Sequence, residues 1–338
     1  MDELIFAINA VLPIVLMVAI GYFLKKIGLM DADLSKKANK LVFRVFLPVK
    51  LFLNVYGIKS FNSVNFSYIF YAIGALIVIF LLAIPTVMLL TKRKQSRGAL
   101  LQGVFRSNYA LIGIPLAEEL SESLGDEGLV AATLLSAFIV PTFNILAVIG
   151  LSIFNNEGKK PDLKKILLGI VKNPLIIGIV SGLVALGIRT LLANNGIELI
   201  PSDNEALVKT ANSLSKTVDY LSVMATPLSL LVLGAQFEFS AIPTLKKEII
   251  SGVILRSVVV PVLAVGTAFL LFKNNFTGGH FAALVAAFCT PVAVSSVPMA
   301  QEMGADSELA GQLVVFTTIT SAFTVFITSF LLKLAGIF

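Results

Sequence analysis

The sequence predicts an all-α polytopic membrane protein whose ten transmembrane helices form two inverted five-helix repeats. Hydrophobic residues make up 57% of the 338 residues and charged residues only 14%, whereas about a quarter of an average soluble domain is charged. The apolar residues fall in ten stretches, each long enough to cross a bilayer. One stretch in each half also carries a matching set of helix breakers. An odd number of spans per half inverts the second half relative to the first.

Short connections separate the ten predicted spans, and none of them is long enough for a soluble domain. We therefore predict a single membrane domain over residues 1–338, with one repeat over 1–156 and the other over 157–338. The N-terminal stretch has no basic region and no small-residue cleavage pattern, so we expect it to be retained as the first span. The spans are 4–24, 36–56, 68–91, 98–120, 128–154, 164–192, 206–235, 245–272, 278–303 and 307–335.

The basic residues predict the orientation, because cytoplasmic loops of membrane proteins are enriched in Lys and Arg. Numbering the loops alternately assigns fifteen to one side: Lys25, Lys26, Lys36, Lys37, Lys40, Lys92, Arg93, Lys94, Arg97, Lys159, Lys160, Lys164, Lys165, Lys246 and Lys247. The other side receives five: Lys59, Arg189, Lys209, Lys273 and Lys333. We expect an inner (cytoplasmic) membrane protein with both termini outside. These loops account for the net charge of +6, so no nucleic-acid partner is expected; the partners are lipid and a small solute.

Spans four and nine are the two that carry breakers. FRSNYALIGIPLAEEL occupies 105–120 and FCTPVAVSSVPMAQEM occupies 288–303. Asn108 precedes Pro115 by seven residues, and Pro291 precedes Pro298 by seven. We take Pro115, Pro291 and Pro298 as breakers of two helices that cross, since irregular backbone at membrane depth must be buried in protein or line a cavity. Such pairs point to a transporter binding site. The simpler alternative is that the prolines only kink their helices.

The breaks predict a site for a small organic anion. Each half-helix N-terminus carries partial positive charge and unpaired N–H groups, which attract anions. The nearby residues are small or neutral and polar, so they can donate hydrogen bonds without holding a permanent charge. The candidate substrate-binding residues are Ser107, Asn108, Gly113, Thr290, Ser295 and Ser296, with Gln236 and Asn144 as lesser candidates for lining the cavity. Lys50, close to Pro48 in span two, is a cation that could face the same cavity.

Two arginines lie within the predicted spans. Arg106, two residues before Asn108, has two open roles: attraction of the anion, or pairing with a carboxylate or the headgroups. Arg256 lies inside span eight, where a charge needs a partner or a cavity. We predict a structural or coupling role for Arg256, with Glu118, Glu119 or Glu302 as partner.

Carboxylates and an amide end both broken helices: Glu118, Glu119, Gln301 and Glu302. Oxygen ligands of this type suit a sodium ion, and a protonatable carboxylate suits proton coupling. A plain position at the membrane surface is the third reading, and the one we favour. Beyond this possible Na+ or H+ coupling, no cofactor and no metal is expected. Cys289 and His280 are the single residues of their kinds, which excludes a disulfide framework and a multi-histidine centre. We place His280 in a loop. No catalytic triad, phosphate loop or nucleotide motif occurs, so no enzyme is expected.

An ordered set of motifs runs along nearly the whole chain. It comprises NYALIGIPL at 108–116, KNPLIIGIVSGL at 172–183, LSLLVLGAQF at 228–237, LRSVVVP at 255–261 and TPVAVSSVPMAQEMGAD at 290–306. The set resembles the auxin efflux carrier family, which includes plant PIN-type exporters and bacterial organic-acid carriers. The loop FNNEGKKPD between spans five and six is short, unlike that of the plant members, so the chain looks like a bacterial one.

The resemblance implies the ten-helix fold of bile-acid sodium symporters. In that fold spans 1, 2, 6 and 7 form a scaffold and spans 3–5 and 8–10 form a core, with substrate between them. It also implies a homodimer through the scaffold and carries Asn108 over as a substrate contact. We therefore expect a secondary active transporter of a small mono- or dicarboxylate, such as malate or malonate, with an elevator-type movement of the core. The alternatives are a sodium- or proton-coupled symporter of the bile-acid type with a different solute and, less probable on the residues, a channel or receptor.

Overall fold

The computed structural model describes residues 13, 16–57, 66–120, 127–154, 168, 171–196, 205–237 and 241–338. Within helices, the side chains at 54, 110, 111, 115, 118, 119, 205–207 and 241 also lie outside the description. The described residues contain no β-strand; their one isolated bridge pairs Ser107 with Val292. Several predictions fall outside the described residues: the start of span one, Lys59, and the lysines at 159, 160, 164 and 165.

Fourteen α-helical segments are described, and several are joined by π-helical turns. They are α1 (16–26), α2 (Ala32–Leu41), α3 (Leu47–Tyr56), α4 (Phe66–Leu90), α5 (Lys94–Phe105), α6 (Ile114–Leu120), α7 (Glu127–Phe154), α8 (Pro174–Asn194), α9 (Glu205–Gln236), α10 (Ala241–Ile254), α11 (Thr267–Phe272), α12 (Gly278–Phe288), α13 (Ser296–Glu302) and α14 (Ser307–Leu334). The π-helical turns are Val42–Phe46, Tyr109–Gly113, Leu255–Val259 and Val262–Gly266.

Six helical segments in the described ranges are long and apolar enough to cross a membrane: α4, α7, α8, most of α9, the combined segment Ile242–Phe272, and α14. The chain is therefore an all-helical, multi-pass membrane protein. The span predicted at 164–192 is interrupted: residues 168 and 171 are helical, Lys172 and Asn173 are not, and α8 begins at Pro174. Asn173 caps this helix by accepting a hydrogen bond from the Leu175 N–H (2.9 Å). Proline fits the first helical position because its missing N–H would be unpaired there anyway.

The described helices pack in two groups, which we name the scaffold group (α1–α3, α8 and α9) and the core group (α4–α7 and α10–α14). In the scaffold group, α3 lies directly against α8 because α8 carries glycines one turn apart. A Cβ at Gly182 would sit 2.8 Å from the Phe52 carbonyl oxygen, and one at Gly178 would meet the Pro48 carbonyl. Small residues at this spacing let membrane helices approach closely.

In the core group, two helices are interrupted. The chain is non-helical over 106–108, after α5 ends at Phe105, and over 289–295, after α12 ends at Phe288. The two breaks lie against each other: the Asn108 N–H donates to the Pro291 carbonyl (2.9 Å), and the Ala293 N–H donates to the Arg106 carbonyl (3.1 Å). Their bridge is antiparallel. Each break thus satisfies part of the backbone that the other leaves unpaired.

The prolines do not all mark these breaks. Pro291 lies in the extended segment, but Pro298 lies in the first turn of α13 and Pro115 lies within α6. The prediction that Pro115 and Pro298 interrupt the helices is therefore wrong in position. A proline in the first turn removes an N–H that has no helical partner, so it is compatible with a helix start.

The prediction that His280 lies in a loop is wrong. It occupies the first turn of α12, where its Nδ1 accepts a hydrogen bond from the Thr277 N–H (3.1 Å) and the Thr277 hydroxyl accepts one from the His280 N–H. Its half-buried ring stacks on Tyr68 with centroids 4.2 Å apart. His280 therefore fixes the start of the second broken helix.

Candidate functional site

A small cavity of about 70 Å³ lies where the crossing of the two breaks faces the scaffold group. This is well below the roughly 300 Å³ at which pockets for drug-sized ligands begin, so its size favours a small solute. The scaffold group contributes Leu47, Lys50, Leu51, Leu175, Ala225, Thr226 and Ser229. The core group contributes Arg106, Ser107, Asn108, Tyr109, Val140, Phe143, Asn144, Ala293, Val294 and Ser295.

Arg106 supplies the cavity with a buried positive charge. Its side chain is 2% exposed, so the alternative of snorkelling to the headgroups is excluded. The guanidinium donates to Gln102 Oε1 (2.9 Å), Asn144 Oδ1 (2.7 Å) and Ser295 Oγ (3.0 Å). These acceptors are neutral, and no carboxylate contacts Arg106 within the described parts of the chain. The hydrogen bonds hold the guanidinium in place, and none of its described partners carries a negative charge.

Lys50 supplies a second positive charge from the opposite wall. It follows Pro48 in α3, and its Nζ donates to the Thr226 hydroxyl of α9 at 2.6 Å. Ser229, one turn further along α9, also lines the cavity and donates its hydroxyl proton to the Ala225 carbonyl (2.6 Å). A core cation and a scaffold cation therefore face one space, and none of the described residues that line it is acidic.

Asn108 is the lining residue with unused hydrogen-bonding capacity. Its backbone is committed to the crossing through the Pro291 carbonyl. Its side chain is 9% exposed, and the buried Nδ2 has no hydrogen-bond partner in the part of the chain that the structure describes. A buried unpaired donor costs about 1–3 kcal/mol, so such a group in a cavity wall indicates a position that a ligand acceptor can fill.

The remaining predicted residues divide between the cavity wall and its support. Ser107 and Ser295 line the cavity, but Thr290, Ser296 and Gly113 do not. The Thr290 hydroxyl lies 2.6 Å from that of Ser107 and donates to the Ala286 carbonyl (2.8 Å). Ser296 is fully buried beside Arg106. Gly113 packs against α12, where a Cβ would lie 3.0 Å from the Ala286 carbonyl oxygen. These three residues pack around the crossing but do not line the cavity.

Gln236 lies elsewhere, in a second cavity of about 370 Å³ between the two groups. There the Gln301 Oε1 accepts hydrogen bonds from the Asn39 Nδ2 (2.5 Å) and from the Gln236 Nε2 (3.4 Å). Glu302, at the end of α13, pairs with Arg44 at 3.4 Å, and the Arg44 side chain is 57% exposed. The amides and this ion pair therefore join core to scaffold and do not line the crossing cavity.

Of the three partners predicted for Arg256, Glu302 does not pair with it. The Arg256 guanidinium is fully buried in the π-helical turn after α10, and its partners among the described residues are backbone carbonyl oxygens. The side chains of Glu118 and Glu119, the other predicted partners, lie outside the described residues. The described residues contain no cluster of three or more His, Cys, Asp or Glu that could hold a metal ion.

Sequence reasoning overlooked Thr226 and Ser229 as lining residues. A signal was present, because they flank Pro227 in α9 just as Leu47 and Lys50 lie beside Pro48 in α3. The two mid-helix prolines thus mark the two scaffold segments that face the crossing. Proline frees a backbone carbonyl one turn earlier, and that carbonyl must find a partner among neighbouring polar groups or water.

Comparison with known proteins places the chain in a family. No protein with a curated description matches it. The family model described as "Membrane transport protein", the auxin efflux carrier or PIN-like family, matches residues 6–329. The match covers nearly the whole chain and confirms the resemblance carried by the motifs. This chain belongs to the membrane transport protein family, a family of multi-pass membrane transporters.

Proposed function

We propose that the protein is a secondary active transporter of a small organic anion, a mono- or dicarboxylate such as malate or malonate. One observation carries the proposal: the crossing cavity is lined by Arg106 and Lys50 with no described acidic residue between them. Two cations sharing a low-dielectric space repel each other strongly. An anion between them relieves that repulsion and gives each cation a partner.

The neutral donors fit the same ligand. Asn108, whose Nδ2 has no hydrogen-bond partner among the described residues, lines the cavity together with Ser107 and Ser295. Hydrogen bonds to an ionised acceptor are shorter and stronger than those between neutral groups. A carboxylate would therefore contact Asn108 and Arg106 from the core, and a second carboxylate or hydroxyl would contact Lys50 from the scaffold.

We propose an elevator-type movement of the core group against the scaffold group. The cavity has one wall in each group, so sliding the core exposes the crossing to either side of the membrane. Both polar and apolar contacts join the groups. The polar ones are Asn39 to Gln301 and Arg44 to Glu302, and water can replace such contacts when the groups move.

Two inverted five-helix repeats remain our proposal for the architecture. Its support is the antiparallel pairing of Ser107 with Val292 between the two breaks, since equivalent segments related by an axis in the membrane plane must run in opposite directions. We further propose the inner membrane, both termini outside and a homodimer through the scaffold group. The lysine-rich loops support the orientation, and an exposed apolar face on α8, with Ile177, Val180, Val184 and Ile188, offers a surface for a second copy.

The test compares charged and neutral ligands of equal shape. Purified protein is reconstituted in liposomes, and uptake of labelled malonate and malate is competed with malonamide and indole-3-acetate. We expect the dicarboxylates to compete and the neutral diamide to fail, because only an anion satisfies both cations. Equal competition by the diamide would reject the anion site. Each measurement is repeated with sodium replaced by N-methyl-D-glucamine, and uptake in sodium alone would favour the coupled symporter.

A further inference from the structure

The C-terminal ends of the two first half-helices meet at one point. α5 ends at Phe105 and α12 ends at Phe288, and the residues that follow each of them are not helical. The last carbonyls of a helix have no partner within it, and they carry a partial negative charge of about half an elementary charge per helix. Two such ends together present about one negative charge inside the protein.

The Arg256 guanidinium occupies this point. Its Nε and Nη2 donate to the Thr290 carbonyl at 2.9 and 2.6 Å, and Nη2 also reaches the Ala287 carbonyl at 3.4 Å. Its Nη1 donates to the Val104 and Phe105 carbonyls, each at 3.3 Å. One planar group therefore bridges the ends of both half-helices.

The two buried arginines at the crossing differ in what their donors do. Arg256 does not line the cavity, and its five hydrogen bonds match the five N–H groups of a guanidinium. Arg106 lines the cavity and bonds neutral side chains. Arg256 thus bonds backbone carbonyl oxygens, whereas all five hydrogen bonds of Arg106 go to neutral side chains around the cavity.

We propose that Arg256 is the built-in cation of the crossing: it neutralises the two helix C-termini and holds the breaks in register, so that no inorganic cation is needed there. A cage of carbonyl oxygens is the environment in which a hard metal cation would otherwise bind. Arg256 is a positioning residue, acting on the site through Thr290, whose hydroxyl contacts Ser107. The part of this inference that concerns substrate rests on the proposed function.

Cys289 allows the crossing itself to be monitored. It is the only cysteine, it is 2% exposed, and it lies between Phe288 and Thr290 at the break. A thiol-reactive fluorogenic dye therefore reports the temperature at which this region opens. The first experiment measures this temperature for wild type, Arg256→Ala, Arg256→Lys and Arg256→Met, with exposed Arg93→Ala as matched control.

We expect Arg256→Ala to lower the melting temperature and millimolar guanidinium to restore it saturably, because the free ion can occupy the carbonyl cage. Urea, which has nearly the same shape without the charge, should not restore it. Arg93→Ala should respond to neither compound. Equal restoration by urea, or no restoration by guanidinium, would overturn the proposal.

A second pair of variants decides the question if Arg256→Ala does not fold. Arg256→Lys keeps a positive charge, whereas Arg256→Met keeps only the length of the side chain. The proposal requires Arg256→Lys to melt at the higher temperature, and the reverse order contradicts it. Wild type should melt at the same temperature in sodium, potassium and N-methyl-D-glucamine at constant ionic strength, while saturable stabilisation by one inorganic cation would contradict a built-in one.

The substrate part is tested separately by malonate binding to wild type in the same three salts. Equal affinities support the inference, and a more than tenfold loss without sodium overturns it. Failure of every carboxylate to bind would instead reject the proposed function. The melting measurements would then decide the role of Arg256, because they do not depend on substrate.

Discussion

Replacing Asn108 by alanine separates ligand recognition from stability. Asn108 Nδ2 is buried in the cavity wall without a hydrogen-bond partner among the described residues. The substitution therefore breaks no side-chain hydrogen bond that the structure shows, and it removes a desolvated donor. We expect the thermal midpoint of the ligand-free protein to stay the same or rise.

The loss should appear when the anion binds. A hydrogen bond to a charged acceptor contributes about 1.5–3 kcal/mol, and each 1.4 kcal/mol is about a tenfold change in Kd. Asn108→Ala should therefore weaken carboxylate binding by about 10- to 150-fold. The assay is malonate-dependent stabilisation of the purified protein, because a ligand that binds only the native state stabilises it by RT ln(1 + [L]/Kd), from which the Kd is obtained.

Asn195→Ala is the matched control, because Asn195 is an exposed amide at the end of α8 that bonds only its own helix. It should leave the Kd unchanged. An Asn108→Ala variant with wild-type affinity would refute the assignment of this amide to the substrate. A large drop in the midpoint without ligand would refute the view that its donor is unused.

Three further predictions concern charge, packing and coupling. Lys50→Met should weaken dicarboxylate binding at least about 30-fold, since losing one partner of a buried charge pair costs about 2 kcal/mol or more. Unchanged binding in a titration would exclude Lys50 from the substrate site. Gly182→Ala should lower the thermal midpoint, because its Cβ would lie 2.8 Å from the Phe52 carbonyl oxygen and overpacking costs about 1–3 kcal/mol. Gly187→Ala meets no atom within 4 Å and should be neutral or stabilising, so equal midpoints for the two variants would contradict this. Glu302→Gln should change the unfolding free energy by less than about 1 kcal/mol, because the Arg44–Glu302 ion pair is partly exposed. The pH profile of uptake should stay unchanged, and a shifted profile would make Glu302 a coupling group.

The positions of most helices followed from the sequence because a membrane leaves the chain little choice. Every backbone polar group in hydrocarbon must be satisfied within its own segment, so a long apolar run predicts a helix. α4, α7, α9 and α14 accordingly begin and end within a few residues of the predicted spans. The span predicted at 164–192 missed the interruption at Lys172 and Asn173, although Asn followed by Pro is a signal for a helix start.

The breaks were found by pattern but mislocated in detail. Seven-residue spacing singled out the correct two stretches, and the family match agrees with their motifs. The interruptions nevertheless fall at 106–108 and 289–295, before two of the three prolines. What holds a chain extended there is the hydrogen bonding between the two breaks, and a pairing between residues so distant in sequence leaves no local pattern.

The sequence by itself determined a multi-pass helical membrane protein, two interrupted helices and a family of transporters, because each depends on local composition or on ordered motifs. Only the tertiary structure decided the roles of the buried cations. Arg106 and Arg256 are the same residue type and both are buried, yet one lines the cavity and the other bonds the carbonyls of two helix ends. Lys50 lines the same cavity as Arg106, whereas Arg256 does not. Contacts between distant segments set the electrostatic partner of each charge, and these contacts exist only after the helices have packed.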